Sequence, residues 1–142
     1  MPPRFVDTNI LIRYFTRDDE TKASKALALL TRVERGQEQL ETSIIVIFET
    51  VYALRRLYQV PKAQIHELVG NLIRLRGLHL PGKNLCLEAL DLYLERNISF
   101  ADCYNAVYMR GREIPEIYSW DTDFDKMESI IRVEQKNNTL CP

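Results

Sequence analysis

Short apolar runs alternate with longer amphipathic stretches along the chain, and that alternation sets its elements. Arg4 to Asp7 reads as a short buried strand. Between Asp18 and Arg35, Ala23, Ala26, Leu27, Leu30 and Val33 fall on one helical stripe. Acidic residues open that helix, where its dipole favours them, and Gly36 ends it. Leu40 to Thr42 is a second strand, and Ser43 is placed to cap a helix through "IIVIFETVYALRRLY". Val60-Pro61 interrupts the pattern. The next helix carries Ile65, Leu68, Val69, Leu72 and Leu75 on one face and stops at Gly77, and Leu78 to Leu80 is a third strand. Asn84 predicts the cap of a helix through Arg96, and Ser99 the cap of one reaching to about Arg110. Ile117 to Trp120 and Ile130 to Val133 complete the strands. Short apolar strands separated by helices predict an α/β domain, a parallel sheet of about five short strands with helices on both faces. No repeat or linker interrupts it, so residues 1–134 read as one domain and 135–142 as a polar tail.

The composition narrows the class. A chain of 142 residues, 46% apolar and 27% charged, has the make-up of a soluble domain with a single core. Its net charge of -1 provides no global field for nucleic acid, so such a partner would need a locally basic cleft. The start "MPPRFVDTN" lacks the charge and apolar run of a secretory signal, and no stretch approaches the roughly 20 apolar residues that span a bilayer. Cys86, Cys103 and Cys141 are odd in number and have no C-x-x-C spacing, which predicts unpaired thiols in a reducing compartment, the cytoplasm. His66 and His79 have no second ligand at metal spacing, which argues against zinc and leaves a metal with oxygen ligands.

Four acidic positions stand out. In "RFVDTNILIRY", Asp7 falls where a strand should end. The bland reading is a strand-to-helix turn, since Asp, Thr and Asn all cap helices. Glu49 has Ile45, Val46, Tyr52 and Ala53 at helical spacing on either side, which predicts a carboxylate against the core or in a cleft. A salt bridge to Arg56 explains it equally well. Asp102 in "SFADCYNAV" forms an S-x-x-D capping box with Ser99, a structural role sufficient by itself. Asp121, Asp123 and Asp125 in "IYSWDTDFD" open like a calcium loop, but Lys126 and Arg132 stand where that loop needs Gly and Glu. What remains is a turn in which Asp caps a short helix. Parallel sheets gather ligands beyond the carboxyl ends of their strands. Taken together, two strand-end aspartates and two helix-borne carboxylates would meet at one end of such a sheet. Their mutual repulsion and desolvation would be relieved by hard cations such as Mg²⁺ or Mn²⁺.

These four motifs, "FVDTNILIRY", "SIIVIFETVYAL", "SFADCYNAV" and "SWDTDFD", resemble in order and spacing the PIN-domain nucleases, and among them the small VapC-type toxins. The resemblance covers nearly the whole chain. It implies a parallel sheet flanked by helices, an acidic pocket holding Mg²⁺ or Mn²⁺, endoribonuclease activity on RNA, a cognate antitoxin and a homodimer. Carried over by position, Asp7, Glu49, Asp102 and Asp121 are the catalytic and metal-binding acids, with Asp7 and Asp102 in direct metal contact. Asp123 is the alternative to Asp121. Thr8, Asn9 and Ser119 resemble the polar residues that orient water and the acids. Arg13, Arg17, Arg55, Arg56, Arg110 and Arg112 follow the motifs, although each also reads as an ordinary solvated helix end. A phosphohydrolase with an Asp nucleophile would need D-x-D after the first strand, where this chain has Asn9. An RNA-processing nuclease without an antitoxin and a non-cleaving PIN scaffold are the other readings, the last disfavoured by four filled acidic positions.

Overall fold

A computed structural model describes residues 2–134; the tail at 135–142, with Cys141, lies outside the described residues. Five strands alternate with six helices: β1 (Arg4–Phe5), α1 (Thr8–Thr16), α2 (Glu20–Glu34), β2 (Leu40–Glu41), α3 (Ile44–Arg56), α4 (Lys62–Ile73), β3 (Leu78–His79), α5 (Lys83–Glu95), α6 (Phe100–Gly111), β4 (Glu116–Tyr118) and β5 (Ile131–Val133), with a 3-10 turn at Thr122–Lys126. Every strand pairing is parallel. The strands fall into two sheets rather than the single sheet expected, a three-stranded one ordered β1-β2-β3 and the pair β4-β5.

Most helix ends follow their sequence signals. Ser43 accepts from the Val46 N–H, and Ser99 from the Asp102 N–H. Gly36, at φ +75°, ends the turn after α2 in the left-handed conformation that glycine adopts without strain. Three boundaries are corrected. α2 begins at Glu20, capped by Asp19, rather than at Asp18, whose carboxylate is engaged by Arg13 and Tyr58. Gly82 precedes α5 in the left-handed conformation, which places Asn84 inside the first turn rather than at its cap. α4 ends at Ile73, and Gly77 serves the next turn instead. A Cβ there would lie 2.8 Å from Val33 Cγ1, so glycine permits the close pass of this turn against α2.

Two apolar clusters hold the layers together. Val6, Leu40 and Leu78, from the ends of β1, β2 and β3, pack with Leu11, Leu30, Val33, Val46 and Leu72 of four helices. The larger cluster joins α3 to α6 through residues such as Ile47, Leu54, Ile65, Leu90 and Phe100, and takes in Phe124, Met127 and Ile130 after β4. The strand at Arg4 to Asp7 is not buried along its length. Only Val6 is buried, and Phe5 is 60% exposed, because β1 is the outermost strand of its sheet and has no second strand partner among the described residues. Cys86 and Cys103 are free and buried, and burial pushes their thiols up to about 12 and about 11. No helix among the described residues is long and apolar enough to cross a membrane.

One buried hydroxyl fixes where β1 ends. Thr42, next after β2, donates from Oγ1 to the Val6 carbonyl at 2.9 Å, one residue before Asp7. Thr42→Val keeps the shape and strands that carbonyl. It should cost about 1–3 kcal/mol in chemical denaturation, and unchanged stability would refute the role.

A second tie joins the end of α1 to the end of α3. The Arg13 guanidinium, 2.7 Å from Asp18 Oδ1, and the Tyr58 hydroxyl, 2.7 Å from Oδ2, hold the Asp18 carboxyl down to about 2. A depressed folded-state value favours the charged form, so this stabilisation is complete above the unfolded value near 3.8 and is lost as the pH falls through about 2. Between those limits the acid-unfolding curves of the parent and of Tyr58→Phe should converge. Curves that stay parallel would contradict it.

Candidate metal centre

Asp7 stands two residues past β1 as the N-cap of α1, its Oδ1 accepting the Thr8 N–H at 2.8 Å. The Thr8 hydroxyl donates to Glu49 Oε2 at 3.3 Å, joining the start of α1 to α3. Asn9 is exposed in the same first turn. Glu49 is exposed rather than set against the core, lies at the edge of a groove beside α3, and makes no ion pair with Arg56 among the described residues. Ile45 and Tyr52, two of the apolar residues that suggested burial, are themselves open to solvent.

The second acidic group is assembled by a cap and an anchor. Ser99 Oγ accepts the Asp102 N–H at 3.2 Å, the serine half of the expected capping box, and holds Asp102 in the first turn of α6. Past β4, Ser119 Oγ accepts the Asp121 N–H, and Asp121 caps the 3-10 turn by accepting from the Asp123 N–H at 2.9 Å. Phe124, buried in the same apolar cluster as Phe100 and Cys103 of α6, pins that turn against the helix. As a result Asp102, Asp121 and Asp123 each bring a carboxylate oxygen within 4.8 Å of the others. Burial raises the proton affinity of Asp102, the negative charges of Asp121 and Asp123 raise it further, and a hydrogen bond with Ser99 opposes them. Asp125 is kept out of the group, since Arg132 grips it through Nε at 3.0 Å and Nη2 at 3.2 Å.

The structure therefore places both Asp121 and Asp123 beside Asp102, and separately joins Thr8 to Glu49 next to Asp7. Asp7 and Glu49 are not members of the three-carboxylate cluster. Lys126 was not foreseen from sequence. Its Nζ lies 2.9 Å from Asp123 Oδ1, and only its spacing of three residues from Asp123 could have signalled it. Three carboxylates less one ammonium leave a double negative charge, which one divalent cation balances. The donor set is all oxygen, which suits hard ions. His66 and His79 are engaged elsewhere, with Asp91 and Gln39.

A parallel α/β domain with acids past its strand ends and at a helix start has the build of a metal-dependent hydrolase. The chain belongs to the PIN domain family, whose profile matches residues 4–130. It is similar to a VapC ribonuclease of Aquifex aeolicus, 26% identical over 124 residues that cover 87% of this chain and 91% of the relative. It also aligns with the crystal structure of Mycobacterium tuberculosis VapC20, a sarcin-ricin loop cleaving toxin. That match is 22% identical, covers 92% of this chain and 98% of the other, and has a TM-score of 0.39.

Crowded like charges should be relieved by a cation. Millimolar Mg²⁺ or Mn²⁺ should raise the thermal midpoint of the parent, and the rise should be largely lost in Asp102→Asn. An equal rise in both proteins would show that the ions act elsewhere.

Proposed function

We propose that the chain is a divalent-metal-dependent endoribonuclease, the VapC-type toxin of a toxin-antitoxin pair. One observation carries the reading: the convergence of Asp102, Asp121 and Asp123 on a point where an oxygen-ligand cation is needed, in a chain of the PIN family. The likeness to the Aquifex aeolicus VapC ribonuclease supports RNA as the substrate and an antitoxin as the partner. Mg²⁺ or Mn²⁺ would be held by these three carboxylates, and when bound it supplies a Lewis acid for phosphodiester hydrolysis.

The residues themselves do the positioning. Ser99 and Ser119 hold the backbone under Asp102 and Asp121, and the bond from the Asp123 N–H fixes the Asp121 carboxylate itself. Lys126 offsets the charge of Asp123. Asp7 and Glu49, linked through the backbone N–H and the hydroxyl of Thr8, would complete the acidic set that the PIN motifs carry, with polar Asn9 beside them. The reading also places the protein in the cytoplasm, in keeping with its two free buried thiols, and includes a homodimer.

The test is cleavage of a generic RNA by purified protein with Mg²⁺ or Mn²⁺. Parent protein should cut and lose activity with chelator, whereas Asp102→Asn and Asp7→Asn should each fall by at least about 100-fold while staying folded. Induction in cells should arrest growth for the parent alone. Cleavage by Asp102→Asn at the parent rate would refute the assignment.

A further inference from the structure

A groove of about 600 Å³ runs between α3 and the turn from α5 to α6. One side begins at Glu49. The other ends at Ser99–Ala101, the residues that lead into Asp102, so the groove runs from Glu49 to the start of α6. Its floor is sealed by aromatic rings packed edge to face, Phe48 on Phe100 at 5.2 Å and Tyr93 on Phe100 at 5.8 Å. Tyr93 and Phe100 are buried, so the rings beneath offer little to a ligand.

The open surface above has a different chemistry. Glu49, Tyr52 and Arg56 share one face of α3 at helical spacing. Tyr52 is 62% exposed and stacks on no aromatic ring among the described residues. Arg56 has no ion pair or hydrogen bond among the described residues, and Arg55 donates only to the Val60 carbonyl, at 3.4 Å. Glu49 is the one acid in the lining. Lys62, the third cation there, is spent on structure, its Nζ donating to the carbonyls of Tyr93, Arg96 and Ile98.

An exposed ring beside unpaired guanidiniums is how proteins hold single-stranded nucleic acid, with the ring stacking a base and the cation pairing a phosphate. On a protein of net charge -1, such a patch beside the acids supplies the local attraction that the whole molecule lacks. We propose that this groove seats the single-stranded RNA segment flanking the cleaved bond, Tyr52 stacking a base and Arg56, with Arg55, pairing a phosphate. The inference rests on the ribonuclease reading above and names the residues that position its substrate.

The experiment is fluorescence-anisotropy binding of a short labelled single-stranded RNA across a salt series. It is made in the Asp102→Asn background so that no turnover intrudes, and is paired with steady-state cleavage in the parent background. Arg56→Ala should weaken binding about tenfold and reduce the slope of log affinity against log salt by about 0.7, and Arg56→Lys should restore the slope. Tyr52→Ala should weaken binding by about tenfold and Tyr52→Phe should not. In cleavage the losses should appear in KM with kcat retained, and because both side chains are exposed the thermal midpoints should not move. Parent-like binding and KM in both alanine variants would overturn the groove while leaving the nuclease reading intact. So would a duplex RNA that binds as well as the single strand, or a loss confined to binding of a protein partner. A parent that neither binds nor cuts RNA would overturn both.

Discussion

Three like charges forced into one small volume govern this end of the molecule. Asp102, Asp121 and Asp123 would separate if their backbones allowed it. They cannot, because each is committed to something else. Asp102 follows the Ser99 cap in the first turn of α6, Asp121 caps the 3-10 turn through the Asp123 N–H, and the Asp123 carboxylate is held by Lys126. Phe124, between the acids of that turn, is buried in the core. Carrying the two backbones apart would uncover that aromatic ring, and its burial is worth more than the repulsion of screened carboxylates near the surface. The packing that stabilises the turn thus fixes the geometry that the chemistry requires.

The longer helices were legible in the sequence, because an apolar stripe repeated over three or more turns gives a clear period. α1 was not. It has nine residues, and in "ILIRYF" only Arg13 interrupts the apolar positions, with Leu11 and Ile12 serving different clusters, so no single stripe emerges. Two-residue strands are too short to show alternation, which is why β1 was taken as buried throughout. Glu49 was legible only in part. Its apolar neighbours signalled the core or a cleft, and the fold gives the cleft, because Ile45 and Tyr52 form an exposed face of α3 and sequence alone cannot tell an apolar wall from an apolar core. Asp121 and Asp123 could not be separated by motif, and the turn sets both beside Asp102.

Contacts between distant residues left no trace in the pattern. Lys62 reads as an ordinary charge at a helix start, yet its ammonium satisfies three carbonyls at the end of α5 and lies 4.3 Å from the Tyr93 ring centroid. Burial lowers its proton affinity. The turn it braces leads directly into Ser99, so a lysine remote in sequence from the acids sets the approach to the cap beneath Asp102. Lys83 does the same for the approach to β3, holding the carbonyls of Leu75 and Leu78.

The arginines that follow the acidic motifs are sorted by their partners. Arg13 is taken by Asp18, Arg17 by Glu20 and Arg110 by Glu88, while Arg112 lies over the ring of Tyr108 at 4.8 Å. A guanidinium already matched to a carboxylate gains little from a phosphate, because binding must first break the existing pair. Arg55 and Arg56 keep their charge unspent, and they occur on the helix that carries Glu49 and on the groove that opens toward Asp102. Position in sequence nominated six cations equally. Among the described residues, pairing leaves Arg55, Arg56 and Arg112 without a carboxylate partner, and the first two line the groove beside Glu49. Repulsion from the carboxylates would otherwise keep a polyanion away, so an attractive wall beside an acidic centre is a requirement of the chemistry rather than an accident of composition.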